Sequence, residues 1–276
     1  MKIIFKKLIA YILKVESKLV LSKYKPKIIA ITGSVGKTST KDAVYASLAK
    51  ISHVRKSEKS YNSEIGLPLT ILGLPNGWNN PITWLDNIFM GLWLFLAPHK
   101  YPKWLVLEVG IGKEGDMERT ASWLKTDVVI ITAIGETPAH IEFFRSRKYL
   151  IEEKSQLIKT LNKDGILILN ADDKDVFEMK KKTKNITLTY GFNNGADVLA
   201  SQDQILYDDK NIPAGIIFRV DQAGGSLPVT IEGVFGRNHV YASLAALALS
   251  VALKFNKINA IDAFKNYDAT PGRMRL

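Results

Sequence analysis

Residues 28–31, Ile-Ile-Ala-Ile, run straight into Thr32-Gly33-Ser34-Val35-Gly36-Lys37-Thr38-Ser39, and this junction constrains the fold more than any other stretch. A short apolar run with β-branched residues suits a strand buried on both faces, and Lys37–Ala49 reads as the helix that follows. The turn therefore joins a buried strand to a helix N-terminus. Gly33 and Gly36 let the backbone curl with its N–H groups inward, and these amides and the helix dipole favour an anion. Lys37 is placed to reach the outer phosphates of a nucleotide, and the Thr38 hydroxyl to hold Mg²⁺. Position 31 is Ile, so the strict G-x-x-x-x-G-K-[ST] pattern fails and T-G-x-x-G-K-T-S remains. The alternative is a chance glycine turn after a strand.

Three more apolar runs, 103–110, 127–135 and 165–173, are bounded by Gly, Asp or Asn and separated by stretches that can hold helices. This alternation predicts an α/β fold with a P-loop-type, mostly parallel sheet flanked by helices. Short β-prone runs between turn clusters over 185–235 predict a small antiparallel side element. Two helices are expected after it, over 238–254 and 258–268. At 276 residues, one large domain or two smaller ones are both possible.

A net charge of +11 favours anionic partners, but no basic run with interleaved aromatics points to nucleic acid. The chain has no cysteine, which fits a reducing compartment such as the cytoplasm. Residues 1–26 interleave lysines with apolar residues and suit a basic amphipathic helix. Such a helix either lies on an anionic membrane surface or packs on the domain. Residues 82–97 are too short to span a bilayer and contain Asp86, so a core or interfacial helix is expected.

Ligands of open α/β sheets bind beyond the carboxyl ends of the strands. Glu108 ends an apolar run and could complete a Mg²⁺ site with Thr38, or merely cap the strand. His140 lies in a Pro-bearing loop after the next strand, where a lone histidine is either metal-contacting or simply solvated. Lys154, within 149–161, reads by itself as a surface lysine.

TGSVGKTST, YNSEIGLPLTIL, LEVGIGKEGDM, PAHIEFF, EEKSQLI, LNADD, GRNHVYASLAA and PGRMRL follow one another in an order that resembles the central domain of the Mur ligases. They are most similar to the branch that joins D-alanyl-D-alanine to UDP-N-acetylmuramoyl-tripeptide. The resemblance implies a central ATP-binding domain over 27–270, with 271–276 starting a linker to an absent C-terminal domain. The chain alone would then be an incomplete enzyme. It implies nucleotide contacts from Gly33, Ser34, Val35, Gly36, Lys37, Thr38, Ser39, Asn238 and His239. It gives metal-site roles to Thr38, Glu108, His140 and Lys154, with two Mg²⁺ ions, a carbamylated Lys154, and Lys37, His140 and Lys154 as catalytic residues. Glu64 falls where the branch carries an acid near the phosphates.

The implied reaction is ATP-dependent amide formation through an acyl phosphate in cell-wall precursor synthesis. Its small-molecule partners would be ATP, a UDP-muramoyl-peptide and an amino acid or dipeptide. Alternatives are a folylpolyglutamate-type or cyanophycin-type ligase, or a non-catalytic ATP-binding module at the membrane. The chain departs from the family's G-R-H-N-x-x-N pattern at Asn238, His239 and Ala242, and the loop before His140 is two residues longer than usual.

Overall fold

The computed structural model describes residues 3–58, 61, 63–138, 141–222 and 225–265. His140 and residues 271–276 lie outside them, so the roles expected there have no counterpart in the description. Nine strands form one sheet: β1 (Lys27–Thr32), β2 (Val54–Lys56), β3 (Trp104–Glu108), β4 (Thr126–Ile131), β5 (Leu161–Asn170), β6 (Ile186–Gly191), β7 (Val198–Tyr207), β8 (Pro213–Gln222) and β9 (Gly225–Glu232). Their spatial order is β2-β3-β1-β4-β5-β6-β7-β8-β9. The helices are α1 (Ile3–Tyr24), α2 (Lys37–Ala49), α3 (Gly66–Leu72), α4 (Pro81–Leu96), α5 (Asp116–Ala121), α6 (Arg147–Ser155), α7 (Lys174–Glu178), α8 (Arg237–Ala252) and α9 (Lys257–Lys265).

Side chains alternate across a strand, and β1 shows what that dictates here. Ile29 and Ile31 pack with Val44 of α2 and Leu244 and Leu249 of α8, whereas Ile28 and Ala30 pack on the opposite face with Leu67, Met117 and Leu157. Both faces are dry, as the continuous apolar run requires. Each large aliphatic side chain so buried contributes roughly 1.5–3 kcal/mol. β1 lies between β3 and β4 in parallel register, with Ile31 opposite both Glu108 and Ile130. The phosphate loop, the end of β3 and the loop after β4 therefore meet at one edge of the sheet.

The antiparallel strands expected as a side element instead continue the main sheet. β6 pairs parallel with β5, β7 adds parallel to β6 through two residue pairs, and β8 and β9 then run antiparallel. Local turn chemistry identified the hairpins but could not show which edge they would join.

Of the helix expected over 1–26, the described part is α1 (Ile3–Tyr24), and it packs on the domain. Ile9, Leu13 and Val20 of α1 are buried with Leu69 and Leu72 of α3 and Trp84 of α4. Lys23 Nζ of α1 donates to the Phe95 and Ala97 carbonyls at the end of α4, at 2.5 and 2.6 Å. Phe5, Leu8, Tyr11, Val15 and Leu19 of α1, and Ile82, Leu85, Phe89, Met90, Leu92, Trp93 and Leu96 of α4, remain exposed. Among the described residues, no helix is long and apolar enough to cross a membrane.

Candidate functional site

The turn after β1 is bound to β4. The Ser34 and Val35 N–H groups donate to the Ala133 carbonyl at 2.8 and 3.0 Å, and Thr132 Oγ1 donates to Val35 O at 2.7 Å. These two amides are committed to protein, so the inward-pointing cradle expected from the turn narrows to the start of α2. There Gly36 takes φ 83° as the N-cap, and no side chain caps the helix. The opening N–H groups of an α-helix lack intrahelical acceptors, which makes this end the anion-favouring part of the turn.

Thr38, one residue into α2, donates from Oγ1 to Glu108 Oε1 at 3.3 Å. Glu108 is only 8 % exposed at the end of β3. Cis oxygen ligands of an octahedral Mg²⁺ lie about 2.9 Å apart, so these two oxygens fit one such ion. Among the described residues no group of three His, Cys, Asp or Glu side chains could hold a metal by itself, so phosphate and water oxygens would complete the shell.

Lys154 is not a surface lysine. α6 turns it inward to 2 % exposure, and its Nζ donates to the Gly33 carbonyl of the loop at 2.9 Å. Burial, and then the charge of Lys37, lower its amine to about 7. Lys37 Nζ reaches back to the Ser34 carbonyl at 3.2 Å.

Two cavities flank the loop. The first, about 680 Å³, is lined by Val35 and Gly36 of the loop and by Asn170, Asp172, Tyr190 and Tyr241. Asp172 accepts from the Tyr241 hydroxyl and the Phe192 N–H, both at 2.7 Å, and the Tyr241 ring lies edge-on to Phe192. The buried Tyr190 hydroxyl has no hydrogen-bond partner among the described residues. The second, about 580 Å³, is lined by Ser34 and Lys37 of the loop, Glu64, Lys154 and one flank of α1. The loop thus separates a tyrosine- and aspartate-lined chamber from one that holds Lys37 and Lys154.

Residues 31–250 match the family described as the Mur ligase middle domain. The chain belongs to the Mur ligase family. It is 27% identical over 250 residues to the UDP-N-acetylmuramoyl-tripeptide--D-alanyl-D-alanine ligase of Bacillus subtilis, covering 91% of this chain and 46% of the relative. It is 25% identical over 249 residues to the enzyme of the same name from Escherichia coli, covering 90% and 48%. Its fold is similar to that of the MurF ligase of Thermotoga maritima in complex with ADP, with a TM-score of 0.76, 23% identity, and coverage of 96% of this chain and 54% of that one. The chain spans about half the length of these relatives.

Within this Mur ligase domain, the exchanged pair at the start of α8 has a structural outcome. Asn238 is exposed and lines the first cavity, whereas His239 is 1 % exposed and is not among its lining residues. A nucleotide contact by His239 is therefore not supported, because the phase of α8 turns that position into the core. Ala242, at the position of the family's second Asn, is also buried.

Sequence reasoning missed a buried ionic chain behind Glu108. Lys41 Nζ lies 3.9 Å from Glu108 and 3.6 Å from Asp42, and Lys56 Nζ lies 2.6 Å from Asp42. Lys41 stands three residues after Thr38, on the same side of the helix, and that spacing was the available signal. Asp172 and Asp173 lay in a quoted motif without a role. Asp173 Oδ2 accepts from the Ile134 and Gly135 N–H groups at 2.7 and 2.9 Å, which fixes the loop after β4.

Proposed function

We propose that this chain carries the ATP-binding and acyl-activating centre of an amide-forming ligase that joins D-alanyl-D-alanine to UDP-N-acetylmuramoyl-tripeptide. The observation that carries this reading is the meeting, at one loop, of the Thr38–Glu108 pair with Lys37 and Lys154 between two cavities. The first cavity suits the nucleoside, with Tyr190, Asn238 and Tyr241 offering polar contacts. The second suits the acid to be activated.

In this reading the substrate carboxylate attacks the γ-phosphorus of ATP, ADP leaves, and an acyl phosphate forms. An incoming amine then adds to the acyl carbon, and the C–O bond to phosphate breaks. Lys37 and the start of α2 stabilise charge on the transferring phosphoryl group, and Thr38 and Glu108 are the residues that would hold Mg²⁺. The ion supplies Lewis-acid polarisation of the phosphates. A carbamate on Lys154 would add an anionic ligand for a second ion.

Hydroxylamine trapping tests the reading. With ATP, Mg²⁺ and the UDP-muramoyl-tripeptide, the chain should yield the substrate hydroxamate, and Lys37→Ala should not. A chain that binds no Mg-ATP in calorimetry would overturn the proposal.

Peripheral membrane contact is a second reading, favoured by the apolar residues exposed on α1 and α4 together with exposed Lys18, Lys23 and Lys100. The occupant that fits apolar residues rimmed by lysine is an anionic bilayer surface. Co-sedimentation with phosphatidylglycerol vesicles, lost in Phe89→Ser/Trp93→Ser, would support it. Equal sedimentation of parent and variant, or none by the parent, would overturn it.

A further inference from the structure

Glu108 has its main chain fixed from two directions. Its N–H donates to Ser57 Oγ at 3.1 Å, and the N–H of Val109, next in the chain, donates to Ile31 O of β1 at 2.8 Å. What stays adjustable is the carboxylate, and α2 meets its two oxygens separately. Thr38 Oγ1 donates to Oε1 at 3.3 Å, whereas Lys41 Nζ, from one turn further along the same side of α2, stands 3.9 Å from Oε2.

Lys41 is itself held in place. Its side chain is 3 % exposed, its Nζ lies 3.6 Å from Asp42 Oδ1, and that same oxygen accepts from Lys56 Nζ at 2.6 Å. Two ammonium groups thus alternate with two carboxylates in a row from β2 through α2 to the end of β3. An apolar side chain would fill the place of Lys41 without the desolvation cost of a buried charge, so packing alone does not account for the ammonium.

The division of the two oxygens does account for it. A carboxylate with both oxygens open can chelate a cation through both, and Ca²⁺ accepts such ligands in its flexible coordination. Mg²⁺ is smaller and demands near-octahedral geometry, which single oxygens satisfy. With Oε2 facing an ammonium, Glu108 presents Oε1, beside Thr38. We propose that Lys41 is a positioning residue that makes Glu108 a one-oxygen ligand and so tunes the site to Mg²⁺ over Ca²⁺. The proposal rests on the ligase reading, in which Thr38 and Glu108 hold the ion that accompanies ATP, and it assigns the ion preference to a side chain standing behind the ligand.

The test measures binding rather than turnover. A non-hydrolysable ATP analogue is titrated calorimetrically into the 276-residue chain with excess Mg²⁺, with excess Ca²⁺ and with EDTA, and the readout is the ratio of the Ca²⁺ to the Mg²⁺ dissociation constant. The parent should favour the Mg²⁺ complex. Lys41→Met removes the ammonium at nearly constant volume, while Asp42 keeps Lys56 and Glu108 keeps Thr38. It should lower the ratio by about tenfold, the ordinary scale for residues that orient a metal ligand. The affinity in EDTA should stay within about twofold. Loss of a like-charged neighbour favours both ions alike, which is why the ratio decides and neither affinity does alone. Lys41→Gln, whose amide ends one bond short of the Nζ position, should behave in the same way. Lys50→Gln removes an exposed lysine just past the end of α2 and should keep the parent ratio.

An unchanged ratio in both Lys41 variants would overturn the proposal, and so would an equal fall in all three affinities, which is what a merely structural lysine gives. A matching fall in Lys50→Gln would reduce the effect to net charge. Failure of both Lys41 variants to fold, read by thermal unfolding, would also count against it, because Lys41 would then serve the fold. A parent that binds the two ion complexes equally tightly would sink the proposal and leave the ligase reading standing. A parent that binds the analogue no better with either ion than with EDTA would sink the proposal and the metal site of that reading together.

Discussion

A lysine at 2 % exposure against a backbone carbonyl needs a reason for its position. Lys154 has its amine lowered to about 7, by burial first and the charge of Lys37 second. The penalty on the charged form is fully present below about pH 7 and fades as the pH rises toward the ordinary lysine value. Only the free amine adds CO₂, so bicarbonate should modify Lys154 increasingly as pH rises through about 7. Intact-mass measurement would show the gain of one CO₂, and equal modification at about pH 6 and about pH 9 would exclude a carbamate governed by this amine. Lys37→Ala should weaken Mg-ATP binding by about tenfold or more, some 1.4 kcal/mol, and calorimetry giving equal affinities would refute its phosphate role. Lys37, Thr38 and Glu108 were legible in the sequence because the strand-turn-helix order fixes the loop and an acid within an apolar run is conspicuous. Lys154 became legible only through family resemblance, since its own segment reads as a polar helix. Lys41, Asp42 and Lys56 stayed hidden because their pairing requires β2 and β3 to stand beside α2, a fact of sheet order that no local pattern carries.

At the scale of elements, the seam between α1 and α4 holds an acid without compensation. Glu16 is 6 % exposed, its Oε2 has no hydrogen-bond partner among the described residues, and burial raises its carboxyl to about 7. A Cβ at Gly91 of α4 would collide with that carboxyl group, so a larger residue there would have to displace the Glu16 side chain. The folded value lies above the unfolded one, so the acid is neutral and costs little below its ordinary value. The cost grows as the pH rises from there and is complete above about 7. Glu16→Gln should therefore raise the melting temperature at about pH 8 and have little effect at about pH 5, with roughly 2–4 °C for each kcal/mol in a chain of this size. Thermal unfolding at both values checks this, and an equal shift at both would remove ionisation as the cause. Each helix of this pair was readable from its own residues. Their partnership was not, because it joins segments at opposite ends of a long stretch of chain, and burial decides it rather than period.

At the scale of the whole molecule, alternation of apolar runs and helices was enough to give the parallel core, since a strand covered on both faces leaves few other architectures. The division of the sheet edge into two chambers was not legible, because it depends on how α1 is held against α3 and α4, a tertiary contact that no local pattern carries. That division has a thermodynamic consequence. Residues 34–37 are shared: Val35 and Gly36 face one chamber while Ser34 and Lys37 face the other. Whatever ordering of this short segment one ligand requires is already done when the second arrives. The two bindings should therefore be coupled, by about 5- to 150-fold if the coupling is of ordinary size, and linkage demands the same factor in both directions. Titrating the UDP-muramoyl-tripeptide with and without a saturating non-hydrolysable ATP analogue, and then reversing the roles, measures both factors. Independent binding would mean that the loop is already rigid. Reciprocal cooperativity would mean that four residues of backbone let each chamber sense whether the other is filled, so that phosphoryl transfer waits until both reactants are present.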